Sequence, residues 1–250
     1  MEIAKRTDVG RVREINEDSL GLEQLRSGHS LAIVADGMGG HLAGDVASQT
    51  VVKMIMEGLL EQKLNTSTDK KSNYLLQAIG TANDAVFAMS QKKEEFKGMG
   101  TTAVAAIVDT EDIVLGHVGD SRAYLLHNGG LYQLTEDHSY VNLLKKHGQI
   151  TEEEAKNHPQ RNMIVRAVGS SEEVEVDLVH TPWKDEDILL LCTDGLTTMV
   201  EDREIGIILS STTLNMEEKA DHLIQLALDA GGTDNISLIL LKNKKRSATS

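Results

Sequence analysis

The stretch TAVAAIVDTEDIVLGHVGDSRAYLLHNGGLYQL, residues 102–134, decides the fold class. It holds four strand-like runs, Thr102–Val108, Ile113–Val118, Arg122–Leu126 and Leu131–Leu134, with only turn residues between them. Parallel neighbours need a crossover of a dozen or more residues, and none fits here, so these strands pair antiparallel. Asn128-Gly129 between the last two is a hairpin signal, because a type I′ turn needs positive φ at both central positions.

Working outward, Ser30–Ala35, Ile188–Cys192 and Ile236–Leu241 read as further strands. Two long amphipathic stretches precede the strand block. One runs from Ala43 to Leu60 with Val46, Val52, Ile55 and Leu59 near helical spacing; the other carries Leu75, Ile79, Ala82, Val86 and Met89. A shorter stripe, Met216, Ala220, Leu223 and Ala227, precedes the last strand. The layout is α+β, with antiparallel sheets and long helices to cover a sheet face. Ser139–Arg166 is a polar helical insertion, in which Thr151 and Glu154 form a capping box. From Lys242 the chain reads KNKKRSATS, a polar, basic tail expected to be disordered over 242–250.

The 250 residues fit one domain, 1–241, and 40% apolar content is enough for a full core. With 25 Lys+Arg against 39 Asp+Glu the formal charge is −14, which argues against nucleic acid or anionic lipid as a partner. It would also repel any anionic ligand unless bound cations reverse the field locally. A single cysteine, Cys192, rules out an internal disulfide and suits a reducing compartment. The N-terminus has no apolar core of a signal peptide, and the longest apolar runs, Leu31–Ala35 and Ile188–Cys192, are too short to cross a bilayer. A cytoplasmic monomer is the expectation.

Four aspartates end or closely flank these strands beside small or turn-forming residues: Asp36, Asp120, Asp194 and Asp234. A rigid element points such a carboxylate, while the adjacent turn lets other backbone approach. Gly37 can add its carbonyl oxygen. Carboxylates with a carbonyl and no His/Cys cluster form a hard-oxygen donor set, suited to Mg²⁺ or Mn²⁺ rather than Zn²⁺. Singly, each is more often a turn than a ligand. Cys192 invites a covalent reading, but a cysteine phosphatase loop needs Arg six residues later, where Thr198 stands; it reads as a small core residue. Gly37-Met38-Gly39-Gly40-His41-Leu42 lacks the third glycine of a dinucleotide loop.

The ordered motifs carry more weight. Residues Thr7 to Asp18 (TDVGRVREINED) and Asp36-Gly37-Met38-Gly39-Gly40-His41 come first. Gly98-Met99-Gly100-Thr101-Thr102, Gly119-Asp120-Ser121-Arg122-Ala123 and Leu134-Thr135-Glu136-Asp137-His138-Ser139 follow. His158-Pro159-Gln160-Arg161-Asn162, Thr193-Asp194-Gly195-Leu196 and Gly232-Thr233-Asp234-Asn235-Ile236 complete the series. In this order they resemble the motifs of the bacterial metal-dependent (PPM, type 2C) protein serine/threonine phosphatases, over about 1–241. The resemblance implies a four-layer α/β/β/α sandwich and hydrolysis of phosphoserine and phosphothreonine on proteins. It implies two core Mn²⁺ or Mg²⁺ ions: Asp36 bridging them, the Gly37 carbonyl completing one, Asp194 and Asp234 holding the other. Asp120 would join Asp194 at a third, weaker ion. Glu17 and Asp18 would orient waters on the ions, Arg13 would bind the phosphate, and residues 139–166 would be a flap beside the site.

The chemistry implied needs no protein nucleophile: two such ions share a water, lower its pKa and align it with phosphorus. Some relatives carry a histidine directly after the Asp-Gly pair as a general acid. Here Met38 stands there and cannot donate a proton, so a water on a metal is the expected acid, with His41 the substitute. The resemblance further implies phosphorylated proteins as partners and a cognate Ser/Thr kinase as the opposing enzyme. The alternatives are a pseudophosphatase, which would lack some of these carboxylates, and a phosphatase of small molecules or of anti-sigma regulators on the same core.

Overall fold

A computed structural model describes residues 1–39, 43–92 and 94–244. The first sheet contains β1 (Glu2–Asp8), β7 (Arg122–His127), β8 (Gly130–Gln133), β10 (Ile188–Cys192) and β11 (Ile236–Lys242), in the order β1-β11-β10-β7-β8. The second contains β2 (Asp18–Gln24), β3 (Ser30–Met38), β5 (Ala103–Val108), β6 (Asp112–Val118) and β9 (Asp177–Pro182), in the order β2-β3-β5-β6-β9. The two-residue β4 (Gly100–Thr101) pairs with the end of β3. Every pairing is antiparallel.

Side-chain alternation sorts the strands into layers. On β3, Leu31, Ile33 and Ala35 pack against α1 (Ala43–Leu60) and α2 (Thr68–Lys92), while Ala32 and Val34 turn inward. There they meet Ala123, Leu125, Leu189, Leu191, Ile239 and Leu241 of the other sheet. That sheet's outer face, with Leu190, Leu238 and Leu240, is covered by α6 (Asp202–Ser210) and α7 (Met216–Asp229). The result is the four-layer sandwich of two stacked antiparallel sheets between helix pairs.

Asn128 and Gly129 have φ of 51° and 79°, as the type I′ hairpin requires. The insertion carries α3 (Tyr140–Lys146) and α4 (Glu152–Lys156), and the Thr151/Glu154 capping box forms. Four strands were not legible in the sequence: β1, β2, β9 and the two-residue β4, which is too short to show a pattern. The first three are sheet edges, where charged side chains face water and blur the apolar alternation. Lys242 ends β11, and the fully buried Asn243 exchanges backbone hydrogen bonds with Glu186 and Asp187, so ordered structure passes the expected boundary at 242. Residues 245–250 lie outside the described residues.

Candidate metal centre

Antiparallel register brings one end of each sheet together. Asp18 opens β2 directly opposite Asp36 on β3. Asp120 sits in the β6–β7 turn, and Asp194 opens the short helix α5 (Asp194–Thr197) after β10. Asp234 lies just before β11, whose first residues pair near the end of β10. Asp36, Asp194 and Asp234, distant in sequence, therefore converge: the Asp36 and Asp194 carboxyls are within hydrogen-bonding reach, and Asp194 also feels the charge of Asp234.

Packing is tight around Gly37. A Cβ on Gly37 would fall 2.1 Å from the Gly44 carbonyl oxygen and 2.7 Å from that of Glu17. Glycine at 37 is thus required for the loop before β2 and the start of α1 to meet the end of β3. Asp36 is fixed through its backbone: its N–H donates to Thr102 Oγ1 (2.9 Å), and its carbonyl accepts from Thr102 N–H (2.9 Å) and Thr101 Oγ1 (2.8 Å). Thr193 Oγ1 donates to Asp18 Oδ2 (2.9 Å). Asn235 braces the Arg13–Asp18 loop. Its Oδ1 accepts from Glu17 N–H (2.8 Å), and its Nδ2 donates to the carbonyls of Val9 (2.9 Å) and Ile15 (3.0 Å).

The electrostatics are unresolved within the chain itself. Burial, followed by the charges of Asp18, Asp194, Asp120 and Asp234, pushes the Asp36 carboxyl well above the carboxylate range. Burial and then Asp194 do the same to Asp120; burial and then Asp234 raise Asp194. Asp18 is pushed up to about 7, chiefly by burial, against the hydrogen bonds from Ser237 and Thr193. Burial also raises Glu17. One buried oxygen each of Glu17, Asp18, Asp120 and Asp194 has no hydrogen-bond partner. Buried acceptors without donors cost 1–3 kcal/mol or about that each, and more when charged. An all-oxygen set of this density fits hard divalent cations, which satisfy the lone pairs and hold the carboxyls ionised.

Like Arg122, Arg13 is a nearby cation. Its Nη2 donates to Asp234 Oδ2 (2.8 Å), a bond that strengthens its hold on the proton, and about half of the side chain stays exposed. A cleft of 730 Å³ runs beside the site, lined by Asp120 and Asp194 and by Val141, Lys156 and Arg161 of the insertion. Cys192 is fully buried and free, its thiol pushed up to about 12 by burial, as a core residue should be. His41 lies outside the described residues.

A family model described as protein phosphatase 2C matches residues 10–229. The chain belongs to the protein phosphatase 2C family. The serine/threonine phosphatase stp of Listeria monocytogenes is 44% identical over 237 residues, 95% of this chain and 94% of its own length. Among solved structures, the Mycobacterium tuberculosis serine/threonine phosphatase PstP/Ppp has a TM-score of 0.88 at 38% identity, covering 97% of this chain and 98% of that one. The catalytic domain of PstP in complex with two manganese ions has a TM-score of 0.82 at 36% identity, with 96% of each chain covered. Protein phosphatases 2C use Mn²⁺ or Mg²⁺, and the oxygen donors of this member suit both.

The sequence motifs named every carboxylate of the cluster. They did not reveal the braces: Thr102, Thr193 and Asn235 lie inside the motifs, but only their contacts distinguish support from ligation. His138, just before the insertion, and His158, within it, are both outside the carboxylate cluster. His158 Nδ1 accepts from Gln160 N–H (3.1 Å) within the flap.

Proposed function

We propose that this chain is a metal-dependent phosphatase of phosphoserine and phosphothreonine on proteins, formed by one domain over 1–241 with a flap at 139–166. The observation that carries the proposal is the convergence of Asp36, Asp194 and Asp234, together with Asp18 and Asp120, at one end of the sandwich. Asp36 would contact both core ions, with Gly37 through its carbonyl, and with Asp194 and Asp234 on the second ion. Asp120 with Asp194 would hold a third. The chemistry such ions supply is a lowered pKa for water and neutralised charge on phosphate oxygens.

The chain's own residues do the rest. Arg13 offers a planar fork to two phosphate oxygens and is already oriented by Asp234. The unpartnered oxygens of Glu17 and Asp18 would accept hydrogen bonds from water and so fix its orientation. Asp36 is held through its backbone by Thr101 and Thr102, so its carboxyl needs little reorganisation. Every carboxylate the reaction needs is present, which weighs against a pseudophosphatase. No helix among the described residues is long and apolar enough to cross a membrane. A cytoplasmic monomer acting on the substrates of a cognate Ser/Thr kinase is the corresponding biological reading.

Phosphate release from p-nitrophenyl phosphate and from a phosphothreonine protein, with Mn²⁺ and then with EDTA, tests it. Turnover of both that EDTA abolishes is expected. Tight Mn²⁺ binding without turnover would make the chain a pseudophosphatase, and a kcat/KM favouring metabolite phosphates over phosphoproteins would move it to small-molecule substrates.

A further inference from the structure

A second polar cluster lies at the base of the flap. His117 on β6 faces Asp177 on β9 in register, and the His138 ring lies against it with centroids 4.7 Å apart. His117 is fully buried and neither ring nitrogen has a hydrogen-bond partner. Two imidazoles and a carboxylate this close suggest a cation site. The proton inventory argues otherwise. Gly119 N–H donates to His138 Nδ1 (3.0 Å), which uses that lone pair and puts the proton of the neutral ring on Nε2. Nε2–H then donates to Asp177 Oδ2 (3.1 Å). Arg166 already supplies the cation, with Nη1 2.8 Å from Asp177 Oδ1 and Nη2 2.8 Å from Glu175 Oε2; Nη1 also lies 3.1 Å from His138 Nε2, a contact in which the protonated Nε2 does not accept.

His138 grips Gly119 twice, since its own backbone N–H donates to the Gly119 carbonyl (2.8 Å). Gly119 has φ of +110°, and a Cβ there would fall 2.6 Å from Thr102. The turn it makes presents Asp120 and then Ser121, whose hydroxyl lies 2.7 Å from that of Thr102, the residue that also binds the Asp36 backbone. On its other side, the His138 carbonyl accepts from Val165 N–H (2.8 Å), next to Arg166 at the end of the flap.

We propose that His138 is a positioning residue: through Nδ1 it fixes the turn that aims Asp120, while Asp177 and Arg166 hold its ring, so that the flap base and the Asp120 cation site share one brace. This rests on the reading of Asp120 as a ligand of a third, weaker ion. Outer partners of ligands typically contribute about ten- to a hundredfold to metal affinity.

The test compares two isosteric halves of the imidazole in the full chain. H138N keeps an acceptor near Nδ1 and loses the reach to Asp177; H138Q does the reverse. Mn²⁺ binding is counted from the electron paramagnetic resonance signal of free ion, with D120A as reference. The weaker class of sites should lose about tenfold in affinity in H138Q and far less in H138N. Equal losses in both variants, or none in either, would overturn the brace. If D120A itself leaves the weaker class intact, the ligand reading of Asp120 fails instead. A measurement free of variants stands beside it: in the Mg²⁺-loaded wild type, a scalar coupling should connect the Gly119 amide nitrogen and His138 Nδ1, with the ring proton on Nε2. Absence of that coupling refutes the brace however the variants fold.

Discussion

Asp36 shares its surroundings with four other carboxyls, and each alteration at this scale reads out as metal affinity before it reads out as rate. Asp36→Ala should remove both core ions and nearly all turnover, a loss of several kcal/mol in transition-state stabilisation and so on the order of a thousandfold or more. Metal analysis of the purified variant with turnover of p-nitrophenyl phosphate checks it; retained metal with appreciable turnover would exclude the bridging role. Asp18 gives a pH signature. Its carboxyl is pushed up to about 7 in the fold, above its unfolded value, so the metal-free fold binds a proton that the unfolded chain has released. That contribution is complete below the unfolded pKa and is lost as pH rises through about 7. Asp18→Asn removes the titration. In EDTA, the melting temperature of the variant should gain on the wild type as pH rises from about 5 to about 8. A constant difference would show that Asp18 is not strained by its burial.

At the scale of elements, edges and ends explain most of what patterning missed. The buried strands β3, β5, β10 and β11 are almost continuously apolar, so their identity is plain from sequence. Edge strands β1, β2 and β9 hold few fully buried apolar residues because one side of each meets solvent or a single neighbour. Helix α7 depends on its start: Asn215 accepts from Glu218 N–H and Glu218 reaches back to Asn215 N–H, a reciprocal cap. Asn215→Ala should cost about 1 kcal/mol in denaturant unfolding without altering kcat. A change in kcat would mean that α7 communicates with the site, which its packing against the far face of the first sheet does not suggest.

For the whole molecule, the dominant fact is an acidic chain, net −14, that concentrates buried carboxyls at one end of its sandwich. Without cations that end works against folding; with them it contributes to it. Ions that bind only the native state stabilise by about 2.7 kcal/mol at a hundred times their dissociation constant. Saturating Mn²⁺ should therefore raise the melting temperature by several degrees over EDTA, and Asp36→Ala should lose most of that increment. An equal increment in the variant would place the stabilising ions elsewhere.

Local chemistry settled a good deal of this protein before any folding was considered. Period-two and helical apolar patterns, the Asn128-Gly129 turn and the Thr151/Glu154 cap are each written within a few neighbouring residues, because each depends only on short-range geometry. Motif order likewise named Asp18, Asp36, Asp120, Asp194 and Asp234 as a set. Which oxygens go unpartnered, why Gly37 can be nothing else and how His138 holds Gly119 were decided by tertiary structure alone. Those properties arise from atoms that no local sequence pattern brings together, and desolvation and close approach exist only once the two sheets have stacked.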